Sequence, residues 1–124
     1  MIPRRILFVD DNAAAREGYC TYLANHGFDV MPAASGEEAL TLAMLTPPDV
    51  IVLDLGLPDV DGWDVARRLK LDPATAQIPI IAFTAATLPH ERASALRAGC
   101  DRYLAKPCSP AELVEAIQRS LATL

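Results

Sequence analysis

The chain has only three cysteines in 124 residues, Cys20, Cys100 and Cys108, odd in number and far apart. No Cys-x-x-Cys pair or Cys/His grouping occurs, which excludes the usual zinc frameworks and leaves ordinary reduced thiols. It has no run of about 18 apolar residues, the length a membrane-crossing helix needs. Met1-Ile-Pro-Arg-Arg5 carries charge, but no apolar segment of signal-peptide length or small-residue cleavage site follows it, so a cytoplasmic location is the expectation. Neither His26 nor His90 has a Ser, Cys or Asp in catalytic spacing, and both read as surface residues. No Gly-x-x-x-x-Gly-Lys loop appears, which argues against a nucleotide or cofactor phosphate cradle. Basic residues are outnumbered, 11 Lys and Arg against 16 Asp and Glu, for a net charge of −5. Neutralising a phosphate backbone needs a basic patch, so nucleic acid is not an expected direct partner.

What is present begins with Val50-Ile-Val-Leu-Asp54, a run of branched aliphatics that ends in a carboxylate. Such a run reads as a strand buried on both faces, as parallel strands are. Four further strands are expected at Arg5–Val9, Phe28–Met31, Ile78–Phe83 and Arg102–Leu104. Helical spacing separates them: Tyr19 and Leu23 before Gly27, Ala39, Leu40 and Ala43 before Pro47, and Val65, Ala66 and Leu69 before Pro73. A fourth helix is expected over Pro89–Ala98 with Gly99 as its stop, and a fifth carries Leu113, Ile117 and Leu121 on one stripe. Ser35-Gly-Glu-Glu38 and Ser109-Pro-Ala-Glu112 are capping boxes, in which Ser and Glu satisfy each other's free backbone donors. The Ala13-Ala-Ala15 run reads as close helix–sheet packing, and Trp63 as a packing or surface residue. Five strands alternating with five helices imply a parallel sheet covered on both faces, in a single domain over residues 1–124.

In open α/β sheets ligands bind at the carboxyl edge of the strands. Unusual residues stand at four of these ends: Asp10-Asp11, Asp54, Thr84 and Lys106. Three crowded carboxylates repel unless a cation intervenes. An oxygen-only donor set suits Mg²⁺, or Mn²⁺, rather than zinc. Lysine, hydroxyl and metal are together what the oxygens of a transferring phosphoryl group require.

These residues reach a family. Val9-Asp10-Asp11-Asn12, Asp54-x-x-x-Pro58-x-x-Asp61-Gly62, Ala82-Phe83-Thr84-Ala85 and Tyr103-Leu104-Ala105-Lys106-Pro107 closely resemble the receiver domain of two-component response regulators. The resemblance covers the whole chain. It implies a flavodoxin-like, doubly wound five-stranded parallel sheet of order 2-1-3-4-5 with five helices. It implies Mg²⁺-dependent phosphoryl transfer to Asp54 from a sensor histidine kinase or histidine phosphotransfer protein. Carried over by position, Asp11 and Asp54 ligate the metal directly, Asp10 acts through water, and the Gly56 carbonyl completes the ligands. Lys106 and Thr84 contact the phosphoryl oxygens, Thr84 and Tyr103 form the switch, and the Lys106-Pro107 bond is cis. The implied product is a signalling domain rather than an enzyme, with self-phosphorylating and self-dephosphorylating chemistry. A downstream protein would dock on the fourth helix, fifth strand and fifth helix, and the chain would be a monomer or a weak phosphorylation-dependent dimer. Gly56 and Ala86, two residues after Asp54 and Thr84, offer no polar side chain to the site.

Overall fold

The computed structural model describes residues 2–85 and 89–122, without the side chains of 89–92. Ala86 and the side chain of His90 therefore lie outside the described residues. The chain runs β1 (Arg5–Val9), α1 (Ala13–Asn25), β2 (Asp29–Ala33), α2 (Gly36–Leu45), β3 (Val50–Leu53), α3 (Gly62–Leu71), β4 (Ile80–Thr84), α4 (Pro89–Arg97), β5 (Arg102–Ala105) and α5 (Pro110–Ala122). The strands form one five-stranded sheet in the order β2-β1-β3-β4-β5, with every pairing parallel. This is the flavodoxin-like topology expected from the sequence.

Alternate residues of each central strand serve two cores. Leu7, Val9, Ile51, Leu53, Ile80 and Ala82 face α2, α3 and α4, where Ala39, Val65, Leu69 and Ala95 meet them. Ile6, Phe8, Val50, Val52, Ile81 and Phe83 face the opposite way, against Leu23 of α1 and Leu113 and Ile117 of α5. Both faces are covered, so β1, β3 and β4 read as continuous apolar runs rather than as alternation. Each fully buried Leu, Ile or Phe stabilises the fold by about 1.5–3 kcal/mol. Apolar burial on two faces therefore holds the sheet without help from the cysteines, all three of which are free. Burial raises the Cys100 thiol pKa to about 12 and that of Cys20 to about 11, so both remain protonated and unreactive near neutral pH.

Several boundaries differ from expectation. β2 runs on through Pro32 to Ala33, because β1 offers it a ladder as far as Val9. β2 is an edge strand, where a missing N–H is tolerated. β4 begins only at Ile80; Ile78 instead closes a turn, its N–H donating to the Thr75 carbonyl at 3.0 Å. Ala13 and Ala14 are exposed rather than packed on the sheet, since α1 starts above the carboxyl edge and buries its far end through Leu23. Glu112 and Ser109 exchange both bonds of a capping box. The α2 box is only half formed: the Glu38 N–H donates to Ser35 Oγ, while Glu38 Oε1 accepts from Ala34 N–H instead of Ser35.

The start of α2 has a further acceptor from outside the helix. Asp59, in the β3–α3 loop, accepts from the Gly36 and Glu37 N–H groups at 2.9 and 3.1 Å. Those two bonds hold its carboxyl pKa below the ordinary aspartate value. A depressed folded pKa contributes stability above the unfolded pKa and loses it as pH falls through the folded one. Asp59→Asn is therefore expected to lower the melting temperature at neutral pH, with the gap closing below the usual aspartate range. Thermal melts of both proteins from neutral pH into that range check this; an equal gap at every pH would overturn it.

Candidate functional site

The last rungs of the sheet position the site. Beyond the strand ends, the Asp10 N–H donates to Ala33 O and the Asp54 N–H to Val9 O, each at 3.0 Å. The Lys106 N–H donates to Thr84 O at 2.9 Å. Three of the expected residues are thus fixed by backbone bonds of the ladder itself rather than by mobile loop tips. Asp10 and Asp54 lie where the strand order turns between β1 and β3, the crevice in which doubly wound sheets place ligands, and the Lys106 side chain reaches them from the end of β5.

Asp10, Asp11 and Asp54 converge there, with one carboxylate oxygen of each within 4.8 Å of the others. Asp10 is 1 % exposed and Asp54 8 %, whereas Asp11 is open to solvent. Both Asp10 oxygens are engaged: Oδ1 accepts from the Asn12 N–H at 2.9 Å and Oδ2 from Lys106 Nζ at 2.6 Å. Asp54 Oδ1 accepts from the Gly56 N–H at 2.9 Å, and its Oδ2 lies 3.3 Å from Lys106 Nζ. The lysine ammonium therefore bridges two buried acids, the arrangement that makes such burial tolerable. Burial pushes the Lys106 pKa down, but the hydrogen bond it donates to Asp10 and the charge of Asp54 outweigh it and leave the pKa raised. Its head also rests 5.3 Å from the centroid of the Phe83 ring.

Formally the cleft sets three carboxylates against one ammonium, which leaves room for a divalent cation. All the donors are oxygens, the set that suits Mg²⁺ or Mn²⁺. Asp10 and Asp54 each have both oxygens engaged within the protein, whereas the Asp11 carboxylate is the one of the three that opens to solvent. Thr84 ends β4 with 4 % exposure. Tyr103 lies on β5 opposite Ala82, two residues before the rung that joins Thr84 to Ala105. It packs against the core under α2 to α4 and lines a shallow groove with Leu96, Glu112 and Arg119. Lys106-Pro107 is a cis peptide bond, as expected.

Sequence reasoning did not find the supports of this cleft. Asn12 caps α1 by accepting from the Ala15 N–H at 2.9 Å. Arg16 donates to the Asp10 carbonyl at 2.8 Å. Asp61 caps α3 through the Trp63 N–H at 3.0 Å. Asn12 and Asp61 were legible as acidic or amide residues just before a helix; the reach of Arg16 from α1 back to the Asp10 carbonyl has no such local signature.

Fold and cleft together define an α/β module with a cation-type acidic site at the carboxyl edge of a 2-1-3-4-5 sheet. The chain belongs to the response regulator receiver domain family, whose model matches residues 6–118. It is 42 % identical over 118 residues to a probable transcriptional regulator, ycf27, of Cyanophora paradoxa, covering 95 % of this chain and 48 % of that one. It is 38 % identical over 121 residues to the phosphate regulon transcriptional regulatory protein PhoB of Pseudomonas aeruginosa, covering 98 % and 53 %. The chain thus spans about half the length of these curated relatives. Among solved structures, a putative response regulator from Chloroflexus aurantiacus superposes with a TM-score of 0.92 at 36 % identity, over 98 % of this chain and 99 % of that one. The receiver domain of the sensor histidine kinase PA1611 from Pseudomonas aeruginosa superposes at 0.90 with 34 % identity, over 98 % and 99 %; it holds a magnesium ion in its active-site cleft. Among the described residues no helix is long and apolar enough to cross a membrane.

Proposed function

We propose that the domain accepts a phosphoryl group on Asp54, in an Mg²⁺-dependent reaction, from the phosphohistidine of a sensor histidine kinase or histidine phosphotransfer protein. The observation that carries this reading is the placement of Lys106 Nζ between Asp10 and Asp54, with Asp11 completing a three-carboxylate cluster. An Asp54 carboxylate oxygen would attack phosphorus as the phosphorus–nitrogen bond of the donor breaks, the leaving nitrogen taking up a proton. Lys106 and the Thr84 hydroxyl would hold phosphoryl oxygens in place. Asp11, Asp54 and the Gly56 carbonyl would hold Mg²⁺ directly and Asp10 through water; the ion would supply charge neutralisation at the phosphoryl oxygens.

In this reading the phosphoryl group draws Thr84 inward and Tyr103 follows, a two-state element biased by local charge. The surface reporting the change is α4, β5 and α5, and a protein partner or a second, weakly held copy would dock there. The domain acts as a signalling switch rather than an enzyme with an external product, and a net charge of −5 argues against its own contact with nucleic acid.

Metal binding gives a direct test. The single tryptophan, Trp63, follows Gly62 at the start of α3, and its fluorescence would be followed as Mg²⁺ is added, beside calorimetry. One Mg²⁺ is expected to bind, and Asp11→Asn to weaken it by about ten-fold or more, since even supporting residues of a metal site are worth that much. Unchanged affinity in the variant would place the ion elsewhere.

A further inference from the structure

We propose that Tyr19 is a positioning residue for Lys106, its hydroxyl acting as the strut that holds the turn carrying the lysine. The proposal rests on the phosphoryl-transfer reading for its consequence, but not for its geometry.

Lys106-Pro107-Cys108 leaves β5 and turns towards α5. The Lys106 N–H is tied to β4. Pro107 has no N–H to offer. The next bond from this turn to the body of the domain is made by Tyr19, whose hydroxyl donates to the Cys108 carbonyl at 2.6 Å across 89 residues of sequence. Tyr19 belongs to α1, the helix that starts just after the acid pair. α1 thus joins the segment that carries Asp10 and Asp11 to the turn that presents the cation.

The ring of Tyr19 contributes separately. It meets Phe83 edge-on, with centroids 5.1 Å apart, and stacks on Phe8 at 5.7 Å. Phe83 is the ring beneath the Lys106 ammonium. Ring packing of this kind would be served equally by phenylalanine, so the hydroxyl is the distinguishing atom. Burial keeps its pKa above the ordinary tyrosine value, so it remains a donor throughout the working pH range. Lys106 Nζ sits 2.6 and 3.3 Å from its two acids, and small displacements of a group that must meet reacting atoms cost large factors in rate.

The test is Tyr19→Phe in the full chain, with acetyl phosphate and Mg²⁺. The phosphorylation rate is expected to fall about five-fold, the scale of one neutral hydrogen bond. In a Lys106→Ala background the same substitution is expected to leave the rate unchanged, because the group it positions is gone. An unchanged rate in the first case, or an equal fall in both, would overturn the proposal. The side-chain ¹⁵N resonance of Lys106 decides the matter even if Lys106→Ala fails to fold or the wild type is not phosphorylated: it must move in Tyr19→Phe, and an unmoved signal refutes the strut. Failure of the wild type to accept phosphoryl, with that resonance shifted, would count against the phosphoryl-transfer reading and not against the role of Tyr19.

Discussion

Incubated with a small phosphodonor and Mg²⁺, the protein is expected to gain one phosphoryl group, and Asp54→Asn to gain none at that position. Asparagine keeps the shape of the side chain and can still accept from the Gly56 N–H, the bond now made at 2.9 Å. It lacks the anionic oxygen that attacks phosphorus. It also leaves the Lys106 ammonium with Asp10 as its one remaining carboxylate partner of the present two. Loss of a nucleophile reduces turnover by factors far above about 10³. The expected rate is therefore background, and EDTA is expected to reduce the wild type to the same level. Intact-protein mass spectrometry reads both outcomes. Equal labelling of Asp54→Asn would remove Asp54 as the acceptor, and labelling indifferent to EDTA would remove the metal from the reaction.

Gly62→Ala is expected to damage both stability and the site. A methyl group built at Gly62 would lie 2.4 Å from Leu55 Cα and 2.8 Å from the carbonyl oxygens of Asp54 and Leu55. All three are backbone atoms, so no side-chain rotation relieves the clash. The helix propensity gained by alanine is about 1 kcal/mol. Overpacking costs about 1–3 kcal/mol and more where backbone must shift. The clash wins, and a fall in melting temperature of roughly 10 °C is expected for a domain of this size. The segment forced to move is the one that carries Asp54, so phosphoryl acceptance is expected to drop with it. An alanine variant that melts and labels like the wild type would show that α3 can draw back from the Asp54–Leu55 backbone without cost. By contrast, among the described residues a methyl at Gly56 would meet only Asp54 Oδ1, at an ordinary 3.7 Å.

The class of fold and the position of the site were legible in the chain itself, for local reasons. Strands buried on both faces show as apolar runs such as Val50-Ile-Val-Leu53, and amphipathic helices show at their own period between them. Once strands and helices alternate, every strand points the same way, and Asp10, Asp54, Thr84 and Lys106 must share one edge. Family resemblance supplied the strand order. The ends of β2 and β4 were not legible, because a strand extends as far as its neighbour offers a ladder, and that neighbour is remote in sequence. The same holds for the supports of the cleft. Asp59 reaches α2 across 23 residues, Tyr19 reaches Cys108 across 89, and Gly62 is required by a backbone that passes 2.4 Å from where its side chain would begin. Such contacts have no period and no local signature. Residue types and their order determined which groups gather at the carboxyl edge. The distances that make them a site, above all Lys106 Nζ at 2.6 Å from Asp10 and 3.3 Å from Asp54, were decided only when packing on both faces of the sheet brought distant segments into register.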